Sequence, residues 1–299
     1  YDPNVFSGGI DSETWSNLMG DESRPLTNRA ISDQYPPGSI YKPIVAIAGL
    51  SEGILDPHEK VTCPGHYRLG NRVYRCWKHE GHGDVDLEAA LRGSCDVYFY
   101  ELGLELGIDV IAEYANRLGL GKVTGIELPG ERPGLVPNRS WKEKARGESW
   151  IKGETVSASI GQGYNLATPI QLAQAYAIIA NGGTAPAPYL IKQLETWDGR
   201  VIEEPTRRSG HNADVDPAVL ELIRRALVSA VEGPDATGAL GQVEGVEVAG
   251  KTATSQVVGL NFVKGLEPHE IPLGFRDHAL FAAFAPAEEP EIVVVVIAE

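Results

Sequence analysis

The chain has 299 residues, 42% of them hydrophobic, with 41 Asp and Glu against 26 Lys and Arg and a formal net charge of -15. That length and apolar content support a large globular domain or a domain with a subdomain, while the acidic balance repels phosphate backbones and anionic lipid and excludes DNA and RNA as partners. No run approaches the roughly 18 apolar residues of a membrane-spanning helix, and the opening YDPNVFSGGIDSETW is polar and turn-rich, unlike a signal peptide. A chain that begins on a YDPN turn and stops inside the apolar run EIVVVVIAE reads as part of a longer protein.

The first strong element is GSIYKPIVAIAGLSEG, apolar at 40, 44, 45, 47, 48 and 50, which predicts a helix buried on most sides with Pro43 in its first turn. Ser39 then stands at the helix N-terminus with Lys42 three residues on and on the same face. Taken alone, that pair is more simply a helix cap followed by a solvated lysine. From DLEAALRGSCDVYFYELGLELG through IDVIAEYANRLGLG the pattern is helical, with Gly107, Gly119 and Gly121 as stops. ERPGLVPNRSWKEKARGESW is a polar surface excursion with its tryptophans tucked against the domain, and SIGQG, lacking the lysine of a P-loop, is a turn near the site. TPIQLAQAYAIIANGG carries a capping box (Thr168, Gln171), Pro169 at the first helical position and Gly182 beyond the end. YLIKQLETWDGRVIEE alternates around Asp198 and Gly199 as a hairpin, and DPAVLELIRRALVSAVEG is a helix capped by Asp216 and stopped at Gly233. VEVAGKTATSQVV, HALFAAFAPA and EIVVVVIAE then read as strands. Helices first and antiparallel strands last give an α/β (α+β) class: one domain over 1–299, a helical lobe mainly over 40–185 and a sheet-rich part mainly over 186–299.

The three cysteines fall in one stretch. Cys63, Cys76 and Cys95 with His82 form a Cys3His set of the kind that binds structural zinc, although the spacings are irregular and no CxxC is present. A Cys63 to Cys76 disulfide with Cys95 buried, or three plain core thiols, are the alternatives. His79 is the nearest substitute for His82, with His58 and His66 also close by; His211, His269 and His278 have no partner pattern and read as surface or strand residues.

Three short motifs follow one another: SxxK at Ser39 and Lys42, SCD at Ser94 to Asp96, and KTAT at Lys251 to Thr254. This order resembles the penicillin-recognising serine acyltransferases. YPPGSIYKP, SCDVYFYELG, TGIELPGE, GETVSASIGQGYNLATPIQLAQAYAIIANGG and GKTATSQVV resemble the transpeptidase domain of class B penicillin-binding proteins, and CWKHEGHG and SCD are most similar to the elongation type, penicillin-binding protein 2. Nearly the whole chain is covered. The implied fold is an antiparallel sheet flanked by helices with a helical subdomain.

The residues fit that chemistry. A serine hydroxyl is a poor nucleophile without a base, and a lysine serves as one only when burial or a second cation, here Lys251, lowers its pKa. The resemblance implies that Ser39 attacks the carbonyl between two D-alanines of a peptidoglycan stem peptide, that Lys42 takes its proton, and that Ser94 relays a proton to the leaving amine. Backbone amides of Ser39 and Thr254 would form the oxyanion hole. Thr252 and Thr254, which alternate onto one strand face, would hold the terminal carboxylate of the donor with Lys251. An amine from a second stem peptide would then form the crosslink, whereas β-lactams would acylate Ser39 and stay. No cofactor is needed for catalysis. Asp96 stands where Asn is frequent, and it is expected to favour protonated Lys42; Ala253 stands where the KTG motif has glycine, its methyl expected on the face opposite the threonines, which puts substrate room in question.

The resemblance also favours zinc at the cysteines, where it would pin the loop before Ser94. It implies a native protein at the periplasmic face of the bacterial inner membrane, with an N-terminal anchor, a pedestal domain and a first strand hairpin outside this chain, paired with a membrane glycan polymerase and elongation-complex proteins. A serine β-lactamase is disfavoured because no ExxLN stretch supplies the deacylating glutamate. A DD-carboxypeptidase differs only in its acceptor. A non-catalytic penicillin-binding sensor or scaffold has Ala253 in its favour and intact Ser39, Lys42 and Lys251 against it.

Overall fold

The computed structural model of the chain describes residues 2–206, 208–257, 267 and 270–299; His269 lies outside them. Helices α1 (Ser12–Gly20) and α2 (Arg29–Ser32) lead to a 3-10 turn, Gly38–Tyr41, that runs directly into α3 (Lys42–Ser51). Four short strands follow: β1 (Val61–Cys63), β2 (His66–Leu69), β3 (Arg72–Arg75) and β4 (Gly83–Val85), paired β1 with β4 and β2 with β3. Helices α4 (Leu87–Arg92), α5 (Asp96–Leu106), α6 (Ile108–Arg117), α7 (Arg139–Arg146), α8 (Lys152–Ala158) and α9 (Pro169–Ala180) complete the helical half. Beyond them lie β5 (Thr184–Ala185), β6 (Leu194–Glu195), β7 (Val201–Glu203), β8 (His211–Asn212), α10 (Pro217–Glu232), β9 (Ala249–Ser255), β10 (His278–Ala285) and β11 (Ile292–Ala298).

The apolar run of α3 makes it the central helix: Lys42 to Gly49 are all buried, packed against α5, α6 and α10. The antiparallel sheet has the order β11–β10–β9, with Phe281 opposite Thr252 and Ala282 opposite Lys251. Helices α9 and α10 cover one face of it. On β11, Val293, Val295 and Ile297 point into that core, while Ile292, Val294 and Val296 are exposed, the period-2 alternation of a strand with one packed face. The capping box of α9 is present, since Thr168 N–H donates to Gln171 Oε1 at 2.9 Å and Gln171 N–H donates to Thr168 Oγ1.

Two departures from the sequence expectations have physical causes. The helical stretch from 87 is broken at Gly93 to Cys95, where Ser94 takes a left-handed φ of 54°, so α5 starts afresh at Asp96. The polar excursion contains a helix, α7, capped by Asn138 and closed by a left-handed Gly147. Its Lys142 is buried and donates to Glu154 at 2.5 Å, tying α7 to α8. Trp141 and Trp150 pack on Tyr164. Among the other histidines, His211 meets the Arg117 carbonyl from β8 and His278 packs edge-on against Tyr35.

Candidate active site

Ser39 sits half-buried in the 3-10 turn ahead of α3. Its placement depends on Gly38: at φ 56°, a side chain there would meet the Thr254 carbonyl oxygen at 2.7 Å and Ala253 Cβ at 3.2 Å. Gly38 N–H also donates to the Gly161 carbonyl at 3.0 Å, so the turn is clamped between β9 and the SIGQG loop. One turn on, Lys42 is fully buried. Its Nζ donates to the Ser94 carbonyl at 2.8 Å, to Ser94 Oγ at 3.2 Å and to Asp96 Oδ1 at 2.7 Å. Three acceptors match the three protons of an ammonium. The other oxygen of Asp96 accepts from Trp77 N–H at 2.9 Å, which fixes the carboxylate against the lysine.

Lys251, also fully buried, reaches across from β9. Among the described residues its partners are the Thr252 carbonyl at 3.2 Å and Thr237 Oγ1 at 3.5 Å. Burial, and then the charge of Lys42, push its pKa well below the ordinary lysine value, with Asp96 opposing. Lys42 has a counter-ion in Asp96, whereas Lys251 is the amine whose charge is disfavoured. Among the described residues no hydrogen bond joins Ser39 to Lys42, whose donors turn toward Ser94 and Asp96.

Ser39, Ser94, Asp96, Thr252, Ala253 and Thr254 line one cleft of about 910 Å³. Along β9, Ala249, Lys251, Ala253 and Ser255 are buried while Thr252 and Thr254 turn outward. The methyl of Ala253 faces the space a side chain on Gly38 would need, and the residue is 8% exposed.

Gln162 and Trp77 are among the cleft residues that the sequence reading did not single out. Gln162, between the left-handed glycines 161 and 163, donates from Nε2 to the Thr254 carbonyl at 3.1 Å and braces the strand that carries the third motif. Trp77 donates from Nε1 to the carbonyls of Gly93 at 3.0 Å and Ser94 at 3.1 Å. The signals were present in SIGQG and CWKHEGHG, but nothing in either stretch says what it touches.

Behind the SCD turn, one ligand atom each from Cys63, Cys76, His82 and Cys95 lies within 4.8 Å of the others. His82 Nδ1 is 3.6 Å from Cys63 Sγ and 3.5 Å from Cys76 Sγ, while Nε2 faces the Gly93 carbonyl at 3.0 Å. A carbonyl partner places the proton on Nε2 and leaves the Nδ1 lone pair aimed at the sulfurs, the arrangement a metal-binding histidine needs. The cysteines are free thiols, so the disulfide alternative is not formed in this structure. His58, His66 and His79 stay outside the cluster, and His79 lines the cleft instead. The two groups of residues touch: Asp96 N–H donates to Cys76 Sγ at 3.4 Å.

A serine at the head of a buried helix, a buried lysine turned toward a second serine, and a second lysine on the adjoining strand define the penicillin-recognising, active-site-serine class of proteins. Within it, the chain belongs to the penicillin-binding protein transpeptidase domain family, which matches residues 1–299. It is 37% identical over 302 residues to the peptidoglycan D,D-transpeptidase MrdA of Haemophilus influenzae, an alignment covering 100% of this chain and 46% of that protein. The crystal structure of Pseudomonas aeruginosa PBP2 in complex with WCK 5153 matches with a TM-score of 0.84 at 39% identity, over 100% of this chain and 64% of that one. The Helicobacter pylori PBP2 in complex with MreC matches with a TM-score of 0.85 at 31% identity, over 100% of this chain and 52% of that one. The chain thus spans about half the length of the curated relatives it matches.

Proposed function

We propose that this chain is the catalytic domain of a peptidoglycan D,D-transpeptidase of cell-wall elongation, a single domain with its helix-rich part over 40–185 and its sheet-rich part over 186–299. The observation that carries the reading is the buried Lys42 ammonium held between Ser94 and Asp96 one turn from Ser39, in a cleft shared with the KTAT strand. The naming of relatives such as MrdA supports it.

In this reading Lys42 gives up a proton before acylation, after which its lone pair takes the Ser39 proton directly or through Ser94. The Ser39 oxygen attacks the D-Ala-D-Ala carbonyl, and the terminal D-alanine leaves as an amine protonated through Ser94. The backbone amides of Ser39 and Thr254 stabilise the oxyanion. Thr252, Thr254 and Lys251 hold the carboxylate of the departing residue, and the methyl of Ala253, turned toward Gly38, is compatible with that role. Resolution by the amine of a second stem peptide completes the crosslink; β-lactams stop at the acyl-enzyme.

Cys63, Cys76, His82 and Cys95 would hold a structural Zn2+, whose full set of protein ligands leaves no open position for substrate and whose effect is to fix the SCD turn. Among the described residues no helix is long and apolar enough to cross a membrane, and the anchored, periplasmic setting belongs to the whole protein. The MreC-bound PBP2 of Helicobacter pylori supports an elongation-complex partner of that kind, and a similar peptidoglycan synthase complex that coordinates polymerization and crosslinking supports a membrane glycan polymerase beside it.

The test is intact-mass spectrometry with benzylpenicillin. A stable single adduct on the wild type and none on Ser39→Ala is expected; an unmodified wild type, or an adduct that survives the substitution, removes Ser39 as the nucleophile.

A further inference from the structure

Lys251 is a fully buried amine without a bound counter-ion: among the described residues no carboxylate lies within ion-pair distance of it, whereas the buried Lys42 and Lys142 have Asp96 and Glu154. One of its two hydrogen-bond partners, the Thr252 carbonyl, belongs to its own strand, β9. The other is Thr237, half-buried on the same cleft as Ser39, in the segment between α10 and β9. Thr237 is itself fixed. Its Oγ1 donates to the Arg92 carbonyl at 3.1 Å and its N–H donates to the same oxygen at 3.3 Å, while the next N–H, that of Gly238, donates to the Ala230 carbonyl of α10 at 2.9 Å. Arg92 ends α4, two residues before Ser94. A hydroxyl has a single proton. With that proton on the Arg92 carbonyl, the oxygen of Thr237 presents only lone pairs to Lys251 Nζ, 3.5 Å away. The threonine thus joins the helix that leads into the SCD turn to the lysine of the KTAT strand.

We propose that Thr237 is a positioning residue for Lys251: by accepting from Nζ it aims the amine at the carboxylate that the donor brings as the missing counter-ion. This rests on the transpeptidation reading, in which Lys251, Thr252 and Thr254 hold that carboxylate. An ammonium has three protons, and Lys251 places one on Thr237 and one on the Thr252 carbonyl, which leaves one for the incoming anion. A lysine stem is flexible. Without the hydroxyl the amine keeps a partner on its own strand alone and loses the one that fixes its tip from outside β9.

The experiment compares acylation of this chain by benzylpenicillin and by its methyl ester, which differ in the charge of one group. Second-order rate constants are read by intact-mass spectrometry on wild type, Thr237→Val and Thr237→Ser, with circular dichroism confirming the fold. A charge-assisted grip predicts that the wild type favours the acid by roughly tenfold or more. Thr237→Val keeps the shape and loses the hydroxyl. It should cut that preference by roughly three- to tenfold, through slower reaction with the acid and not with the ester, and Thr237→Ser should restore it. Equal rates with acid and ester in the wild type, needing no variant at all, overturn the inference. So does a valine variant that keeps the preference or slows on both compounds alike, the mark of a merely structural tie to Arg92, and so does a serine variant that behaves like valine. If valine does not fold, Thr237→Ala replaces it under the same criteria. No adduct on the wild type with either compound overturns the underlying reading, whereas an adduct with an unchanged preference in the valine variant overturns the inference and leaves serine acylation standing.

Discussion

Two side-chain clusters meet at one tripeptide. Cys95 belongs to a closed set, buried, its potential ligand atoms converging on one another, whereas Ser94 and Asp96 on either side of it belong to a set that opens on the cleft. In the closed set every group points inward and has a neighbour. In the open set the Ser39 hydroxyl is left without a hydrogen bond among the described residues, and the buried Lys251 has only a hydroxyl and a carbonyl to meet. The contrast shows how a reactive group can stay unpaired and still be placed: its position is imposed by the tightly bonded neighbour rather than by bonds of its own.

The sharpest way to break that contrast is Lys42→Ala. It removes the proposed base and leaves the buried Asp96 carboxylate with Trp77 N–H alone, so benzylpenicillin acylation should slow by about a thousandfold, with a lowered melting temperature. A variant acylated within tenfold of wild type would take Lys42 out of the machinery. Next in size is Cys76→Ala. If the closed cluster supports the open one through a metal, native mass should show the loss of one zinc and acylation should fall by roughly 10- to 100-fold; wild-type acylation without bound metal would uncouple the two clusters. Asp96→Asn sharpens the comparison from the open side. Losing the anion 2.7 Å from Nζ makes the ammonium less favoured, so the acid limb of the acylation profile should move down by about one pH unit. An unmoved limb would refute a role for Asp96 in holding that charge.

The smallest effect is on stability. The folded pKa of Lys251 lies below its unfolded value, so between the two the unfolded chain binds more protons and stability rises with pH. Below the folded value the cost of burying the cation is fully present. Chemical unfolding of wild type and Lys251→Met should therefore show the wild type gaining on the variant as pH climbs toward the ordinary lysine range; parallel curves would mean that the amine is not desolvated in solution.

Much of the fold is legible because α3, α9 and α10 carry strong local signals: an unbroken apolar run, a capping box, an Asp cap with a Gly stop. The polar α7 has no apolar stripe and depends on its caps and the buried contact of Lys142 with Glu154, which no periodicity reveals. Strands β1 to β4 are three or four residues long, too short for alternation to register. The motif residues were readable as types in order, and the cysteines as an irregular set. Distance was not: that Lys42 turns to Ser94 and Asp96, and that Gln162 reaches Thr254, are products of packing between segments far apart in sequence.

The contact between Gly38 and β9 also bears on which substitutions the two positions accept together. The methyl at 253 tightens the space at 38, because a Cβ there would stand 3.2 Å from it. The dependence is one-sided. Replacing Ala253 by glycine would clear that contact and still leave the Thr254 carbonyl 2.7 Å from any new Cβ, so the constraint at position 38 comes from the strand's backbone and outlasts any change of side chain at 253.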